Sequence, residues 1–157
     1  MSSEDRLHRI EAELAIRNVI ARYGMAADCG DVETALSCHT ADAVYVVSNP
    51  RAGRNGEAGD LELKGHSAIG DMLSSEMHQS LLPDCAHTVG PLVVEVSGNA
   101  GRVIGYSRVY HDQKLMRLAI NIWDMSLDHG NWKIARRESR VMGEEKAQAL
   151  LKKALNK

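Results

Sequence analysis

The chain has no phenylalanine, only three prolines and only three cysteines among its 157 residues. Cys29, Cys38 and Cys85 show no CxxC spacing, which disfavours both a disulfide framework and a zinc site, since each needs several sulfurs at set separations. An excess of one charge is also missing: 19 Lys and Arg against 21 Asp and Glu leave a net charge of −2. A nucleic-acid footprint needs a concentrated basic surface, so no nucleic-acid partner is expected. No apolar run reaches the roughly 20 residues of a membrane-spanning helix. The opening "MSSEDRLHRIEAEL" lacks the apolar core of a signal peptide. No membrane partner is expected, and the cytoplasm is the expected location. P-loop, GxSxG, HExxH and dinucleotide fingerprints are absent as well. The missing phenylalanine, offset by two Trp, four Tyr and seven Met, carries no functional conclusion.

What is present describes a folded domain. Apolar residues make up 44% and charged residues 25%, close to the globular average, so wholesale disorder is excluded. The length suits one core and is too short for two ordinary ones. With no repeat, low-complexity tract or linker, residues 1–157 read as a single domain: a body over 1–142 and a helical extension over 143–157.

Periodicity places the elements. Apolar residues at threes and fours, from Leu7, Ile10 and Leu14 through Ile16, Val19, Ile20 and Tyr23, predict a long helix over "RLHRIEAELAIRNVIARYGMAAD". Ser2 and Asp5 have capping-box spacing at its start, and Gly30 is a stop signal. Asp31 reads as the N-cap of a short helix, "DVETALSCHT". "ADAVYVVS" is a strand, and "NPRAGRNGEAGDLELKG" a glycine-rich loop enclosing a short strand at Leu61–Leu63. "HSAIGDMLSSEMHQSLL" returns to helical spacing. Four alternating strands follow, "AHTVGPLVVEV", "AGRVIGYSRVY", "KLMRLAINIWDMSL" and "NWKIARRESRV", divided by turn signals. A polar helix, "GEEKAQALLKKALNK", closes the chain. Helices first and a four-strand meander afterwards predict an α+β fold, with helices on one face of a mostly antiparallel sheet.

Two residues stand out chemically. Asp28 falls in the last turn of the first helix, where the backbone dipole disfavours an acid by roughly 0.3–1 kcal/mol unless a partner offsets it. His87 opens an apolar strand; a carboxylate on one ring nitrogen would fix its tautomer and make the other nitrogen a base. Spacing alone does not bring them together. His39, His66, His78, His111 and His129 read as solvated residues of turns, caps and polar faces. Arg136, Glu138 and Arg140 alternate and read as cross-strand pairing on a wet sheet face. Trp123 and Trp132 read as core or cavity-wall aromatics.

Several stretches in their order, "RYGMAADCGDVETALSCHTADAVYVVS", "GHSAIGDML", "AHTVGPLVVEVSGNAGRVIGYSRVY" and "NIWDMSLDHGNWKIARRES", resemble the SnoaL-like branch of the nuclear transport factor 2-like superfamily over roughly Arg6 to Arg140. The resemblance implies an α+β cone, a curved antiparallel sheet wrapped around N-terminal helices with a central pocket. Members of the scytalone dehydratase and hexachlorocyclohexane dehydrochlorinase type use an aspartate–histidine dyad, which maps onto Asp28 in "AADCGD" and His87 in "CAHTVGPL". Cys85, Asn121 ahead of "DHGNWKI", and Tyr23 five before the aspartate match polar positions of the same relatives. The dehydratase's two water-holding tyrosines fall on Ala27 and Val47; Tyr45 shares strand parity with Val47 and could supply a phenol instead. His111 is a possible equivalent of the dehydratase's second pocket histidine.

The expectation is therefore a cofactor-independent lyase, a dehydratase or other eliminating enzyme. His87 would be the base and Asp28 its orienter. Tyr23, Tyr45, Cys85, Asn121 and Trp123 would line a pocket for a small, partly aromatic or alicyclic molecule. No metal or organic cofactor is expected. Isomerase or polyketide-type cyclase chemistry in the same pocket, and a non-catalytic binding or assembly subunit, are the alternatives. The resemblance also implies a homo-oligomer, dimer or trimer. The closing helix could cover the pocket, dock on a neighbour or extend the domain.

Overall fold

The computed structural model describes residues 1–48 and 59–156. Its elements run α1 (Ser3–Cys29), α2 (Val32–Ser37), β1 (His39–Ser48), β2 (Asp60–Lys64), α3 (Gly65–Leu73), α4 (Glu76–Gln79), β3 (Cys85–Ser97), β4 (Ala100–His111), β5 (Lys114–Asp128), β6 (Asn131–Val141) and α5 (Glu145–Ala154). The short strand expected at Leu61–Leu63 is β2; the glycine-rich stretch ahead of it, residues 49–58, lies outside the described residues.

Local chemistry sets the helix ends. Ser2 Oγ accepts from Asp5 N at 3.0 Å while Asp5 accepts from Ser2 N at 2.8 Å, closing the capping box. Gly30 ends α1 at φ 75°, a left-handed conformation open to glycine at no steric cost. Asp31 then caps α2 by accepting from Thr34 N at 2.9 Å. Burial corrects the periodicity: Ile16, Ile20 and Tyr23 are buried, whereas Leu7, Ile10 and Leu14 are 55–57% exposed. Every residue from 1 to 11 is exposed, so the first turns of α1 stand clear of the core.

The six strands form one sheet in the order β2-β1-β6-β5-β4-β3. β3 to β6 are the expected antiparallel meander; β1 joins it parallel to β6, and β2 pairs antiparallel outside β1. Alternation along the strands separates two clusters. Val103, Trp123, Met125 and Ile134 face inward, with α1 to α3 packed against them. Ile104, Ile120 and Ile122 face outward and are covered by α5 through Ala147, Leu150 and Leu151. Helices thus occupy both faces rather than one, because the outward isoleucines make a second apolar stripe that must also be buried. α5 does not reach the inner face. Among the described residues, no helix is long and apolar enough to cross a membrane.

The meander bends at a register shift between Val89 and Leu92, where Gly90 takes φ 115°. Gly105 on the neighbouring strand makes the bend possible: a Cβ there would stand 2.6 Å from Pro91 O and 2.4 Å from Leu92 Cδ2.

Candidate active site

Asp28 projects from the last turn of α1, which carries no basic residue of its own. Its partner comes from β3. Asp28 Oδ1 lies 2.5 Å from His87 Nδ1, and Oδ2 accepts the His87 backbone N–H at 2.7 Å. One carboxylate therefore holds one histidine by ring and main chain together, which offsets the unfavourable helix end. In the neutral ring, Nδ1 carries the proton donated to Asp28, so Nε2 keeps a lone pair. The two side chains are 20% and 23% exposed, accessible yet screened on most sides. Gly24 faces this strand, where an added Cβ would stand at van der Waals contact, 3.4 Å from His87 Cβ and O.

Cys85, two residues earlier on the same strand face, places Sγ 3.8 Å from His87 Nδ1. Burial, then the neighbouring Asp28 charge, pushes its thiol up to about 11. Asp28, Cys85 and His87 thus offer three potential metal-ligand atoms within 4.8 Å of one another, a grouping that spacing between positions 28 and 85 could not reveal. The donor set fits a metal poorly. A metal there would have to displace the Cys85 thiol proton and take His87 Nδ1 from its bond to Asp28.

The rest of the inner face is polar at its centre. Asn121, fully buried, accepts from Arg137 Nε at 3.1 Å and donates to Ser107 Oγ at 2.7 Å. The Arg137 guanidinium stands over three rings, Tyr45 at 4.7 Å, Trp123 at 5.5 Å and Tyr23 at 5.6 Å. Burial, reinforced by Tyr45, holds the Tyr23 phenol far above its ordinary range, so it is neutral at physiological pH. Tyr23 also meets His39 edge-on, ring centroids 4.8 Å apart. Trp123 Nε1 and Thr40 Oγ1 are buried with no hydrogen-bond partner among the described residues.

Tyr23, Tyr45, Asn121 and Trp123 therefore form one cluster around Arg137, while Cys85 belongs with Asp28 and His87. Tyr23 and Gly24, adjacent on α1, join the two groups. Arg137 escaped the sequence reading, although the signal was present: alternation that turns Arg136, Glu138 and Arg140 outward turns Arg137 and Ser139 inward.

Three expectations need correction. His39 is 2% exposed, not solvated; its Nδ1–H donates to Ala35 O at 2.9 Å. Burial, with the Arg137 and His66 charges also opposing protonation, depresses its pKa to about 4. His78 is 8% exposed and donates from Nε2 to Ala27 O at 3.0 Å, satisfying a carbonyl at the end of α1. Arg140 does face outward but is buried, paired at 2.7 Å with both Asp60 and Glu138. His129 is exposed, as expected, and His66 and His111 are half-buried. His111 lies opposite Cys85 in the β3–β4 register, whereas Arg108 and Tyr110 alternate to the other face.

A family model described as a SnoaL-like domain matches residues 8–138. Among solved structures, an NTF2-like protein with a cystatin-like fold from Novosphingobium aromaticivorans is similar over 94% of each chain, at 30% identity and a TM-score of 0.82. The hexachlorocyclohexane dehydrochlorinase LinA-type3 of Novosphingobium barchaimii is similar over 90% of this chain and 91% of its own, at 19% identity and TM-score 0.67. A putative scytalone dehydratase from N. aromaticivorans is similar over 85% of each chain, at 16% identity and TM-score 0.65. Comparison with curated protein sequences gave no significant match.

Proposed function

Since the chain belongs to the SnoaL-like domain family, we propose that it is a cofactor-independent lyase using Asp28 and His87 for proton abstraction. The supporting observation is the double hydrogen bond from His87 to Asp28. It fixes the ring's orientation and tautomer, leaves Nε2 as the base, and places a carboxylate where the imidazolium will form. His87 Nε2 removes a proton from carbon. The C–H electron pair becomes the new double bond, and the leaving group departs with its own bonding pair, as halide or, after taking a proton, as water. Tyr23, Tyr45 and Asn121 supply hydrogen-bond donors for the oxygen on which negative charge develops. The neutral Tyr23 phenol suits that role, because an ionised one would repel the charge.

The distant likeness to a dehydrochlorinase and a putative dehydratase agrees with elimination, but a shared fold does not fix the chemistry. Isomerisation needs only that the proton return to a different carbon. The reading includes a homo-oligomer, dimer or trimer, which the exposed Leu7, Ile10 and Leu14 along one stripe of α1 support. Size-exclusion chromatography with light scattering tests this part; a monomer at micromolar concentration would remove it.

The catalytic reading is tested in D2O with a panel of cyclic β-hydroxy ketones and chlorinated cyclohexanes. Elimination is read from the absorbance of the new double bond, and carbon-bound deuterium from mass spectrometry. Turnover or exchange should fall by about 10²–10⁴ in His87→Ala. Equal rates in wild type and His87→Ala would remove the base, and inertness of the wild type to the whole panel would favour the binding-only alternative.

A further inference from the structure

β6 carries two buried arginines, and they are treated oppositely. Arg140, on the outer face and 5% exposed, is matched by two carboxylates at 2.7 Å. Arg137, on the inner face and 6% exposed, has no carboxylate partner among the described residues. Arg117, a second cation on the inner face, is spent on Ser48 O at 3.0 Å and on Ser139. Asp28, the acid of the neighbouring group, already accepts both N–H groups of His87, and the Glu144 charge acts on Arg117. His39, with its pKa near 4, contributes no charge at neutral pH.

A buried guanidinium without a counter-ion is costly, because removing a charge from water is offset only by a close partner. The surrounding rings recover part of that cost through cation–π attraction. They also hold the guanidinium in place, as does Asn121, itself fixed by Ser107. Beside it, the Trp123 indole N–H is buried without an acceptor among the described residues. A preorganised cation with N–H groups to spare beyond the one given to Asn121, and an unsatisfied neighbouring donor, lack the same thing among the described residues, a negatively charged oxygen.

We propose that the inner face binds a small ring-bearing organic carboxylate, its carboxylate paired with Arg137 between Tyr23, Tyr45 and Trp123. The other end of the molecule lies on the His87 side of the cluster. This names the substrate class of the proposed lyase and rests on that reading for what happens at the far end. The neutral ring of the substrate takes the place of packing partner to the aromatic cluster, and its charge supplies the counter-ion missing among the described residues.

The test is calorimetric titration of the full chain with benzoate and cyclohexanecarboxylate, against benzamide and cyclohexanecarboxamide as uncharged isosteres. Wild type should bind the carboxylates at least about tenfold more tightly than the amides, a preference worth about 1.4 kcal/mol. Arg137→Met, of similar length and uncharged, should lose the preference, and Arg137→Lys should keep part of it. His87→Ala should retain it, because that variant touches only the far end. The melting temperature of Arg137→Met should hold or rise, since an uncompensated buried charge is removed. Amides that bind as well as carboxylates, or a preference that survives Arg137→Met, would overturn the proposal. So would the absence of carboxylate binding by wild type. Should Arg137→Met not fold, the wild-type and Arg137→Lys comparisons still decide. Carboxylate binding intact alongside turnover indifferent to His87→Ala would sink the base mechanism alone and leave the anion site standing.

Discussion

Asp28 holds His87 twice, at the ring Nδ1 and at the main-chain nitrogen of the same residue. The arrangement makes the acid structural and chemical at once, and the two roles separate under substitution. In Asp28→Asn the amide oxygen can still accept the main-chain N–H, but the amide nitrogen faces the ring and favours the tautomer with its proton on Nε2. The variant should therefore stay folded and lose roughly 10²–10⁴ in turnover on any substrate the wild type eliminates. Asp28→Ala should lose both turnover and thermal stability. Full activity in Asp28→Asn would show that tautomer control is not what the acid provides.

Acid should loosen the protein through His39. Its pKa is depressed to about 4 in the folded state from an ordinary value of 6.5, so between those values the unfolded chain binds more protons than the folded one. Stability from this residue is complete above about pH 6.5 and is lost as pH falls towards 4, amounting to roughly 3 kcal/mol. Chemical denaturation of wild type and His39→Asn from pH 4 to 7 measures it. The variant's profile should be flatter over that window; parallel profiles would mean that His39 is not the group responsible.

The cysteines should react in order of access and protonation. Cys29 is exposed, whereas Cys85 is buried with its thiol pushed up to about 11. Because the thiolate is the reactive form, iodoacetamide at pH 8 should label Cys29 first, and labelling of Cys85 should go on rising about tenfold per pH unit up to its pKa near 11. Peptide mass spectrometry after timed quenching reads both. Cys85 labelled as fast as Cys29 at pH 8 would contradict the assigned environment.

Gly105→Ala should be among the more damaging single-methyl additions. The new Cβ would meet Pro91 O at 2.6 Å, a main-chain atom at the β3 bend that cannot rotate away. Overpacking of this kind costs typically 1–3 kcal/mol. At Gly101 the closest atom is the terminal Cδ1 of Ile16, at 2.8 Å, which can move, so Gly101→Ala should be milder. Differential scanning calorimetry of the two variants tests the ranking, and equal melting temperatures would refute it.

Much of this architecture was readable from residue types alone. Ser2, Asp5, Gly30 and Asp31 announce helix ends because capping is a local interaction between neighbours. The strands of the meander were equally plain, since alternation is a local pattern too. What failed was anything requiring a second element. Leu7, Ile10 and Leu14 continue the apolar rhythm of α1, yet nothing in that rhythm says where the sheet beneath it stops. His39 and His78 look like solvated residues until the carbonyls of Ala35 and Ala27 are brought against them. The pairing of Asp28 with His87 was suggested by family resemblance, not by their spacing. Arg137 was hidden by its neighbours: a run of charges suggests one wet face, when alternation must divide it between two.

The parallel pairing of β1 with β6 has a consequence in time as well as in space. Val46 pairs with Glu138, so this closure joins positions about ninety residues apart, whereas each turn of the meander joins strands adjacent in sequence. Loop-closure entropy favours local pairings first, so β3 to β6 should assemble before β1 docks on their edge. The contact of Asp28 with His87 joins α1 to β3, at the opposite edge of the sheet from β1. It too is long-range in the chain, so the proton-transfer pair should form after the local turns of the meander, and a destabilised variant should lose it while the meander still stands.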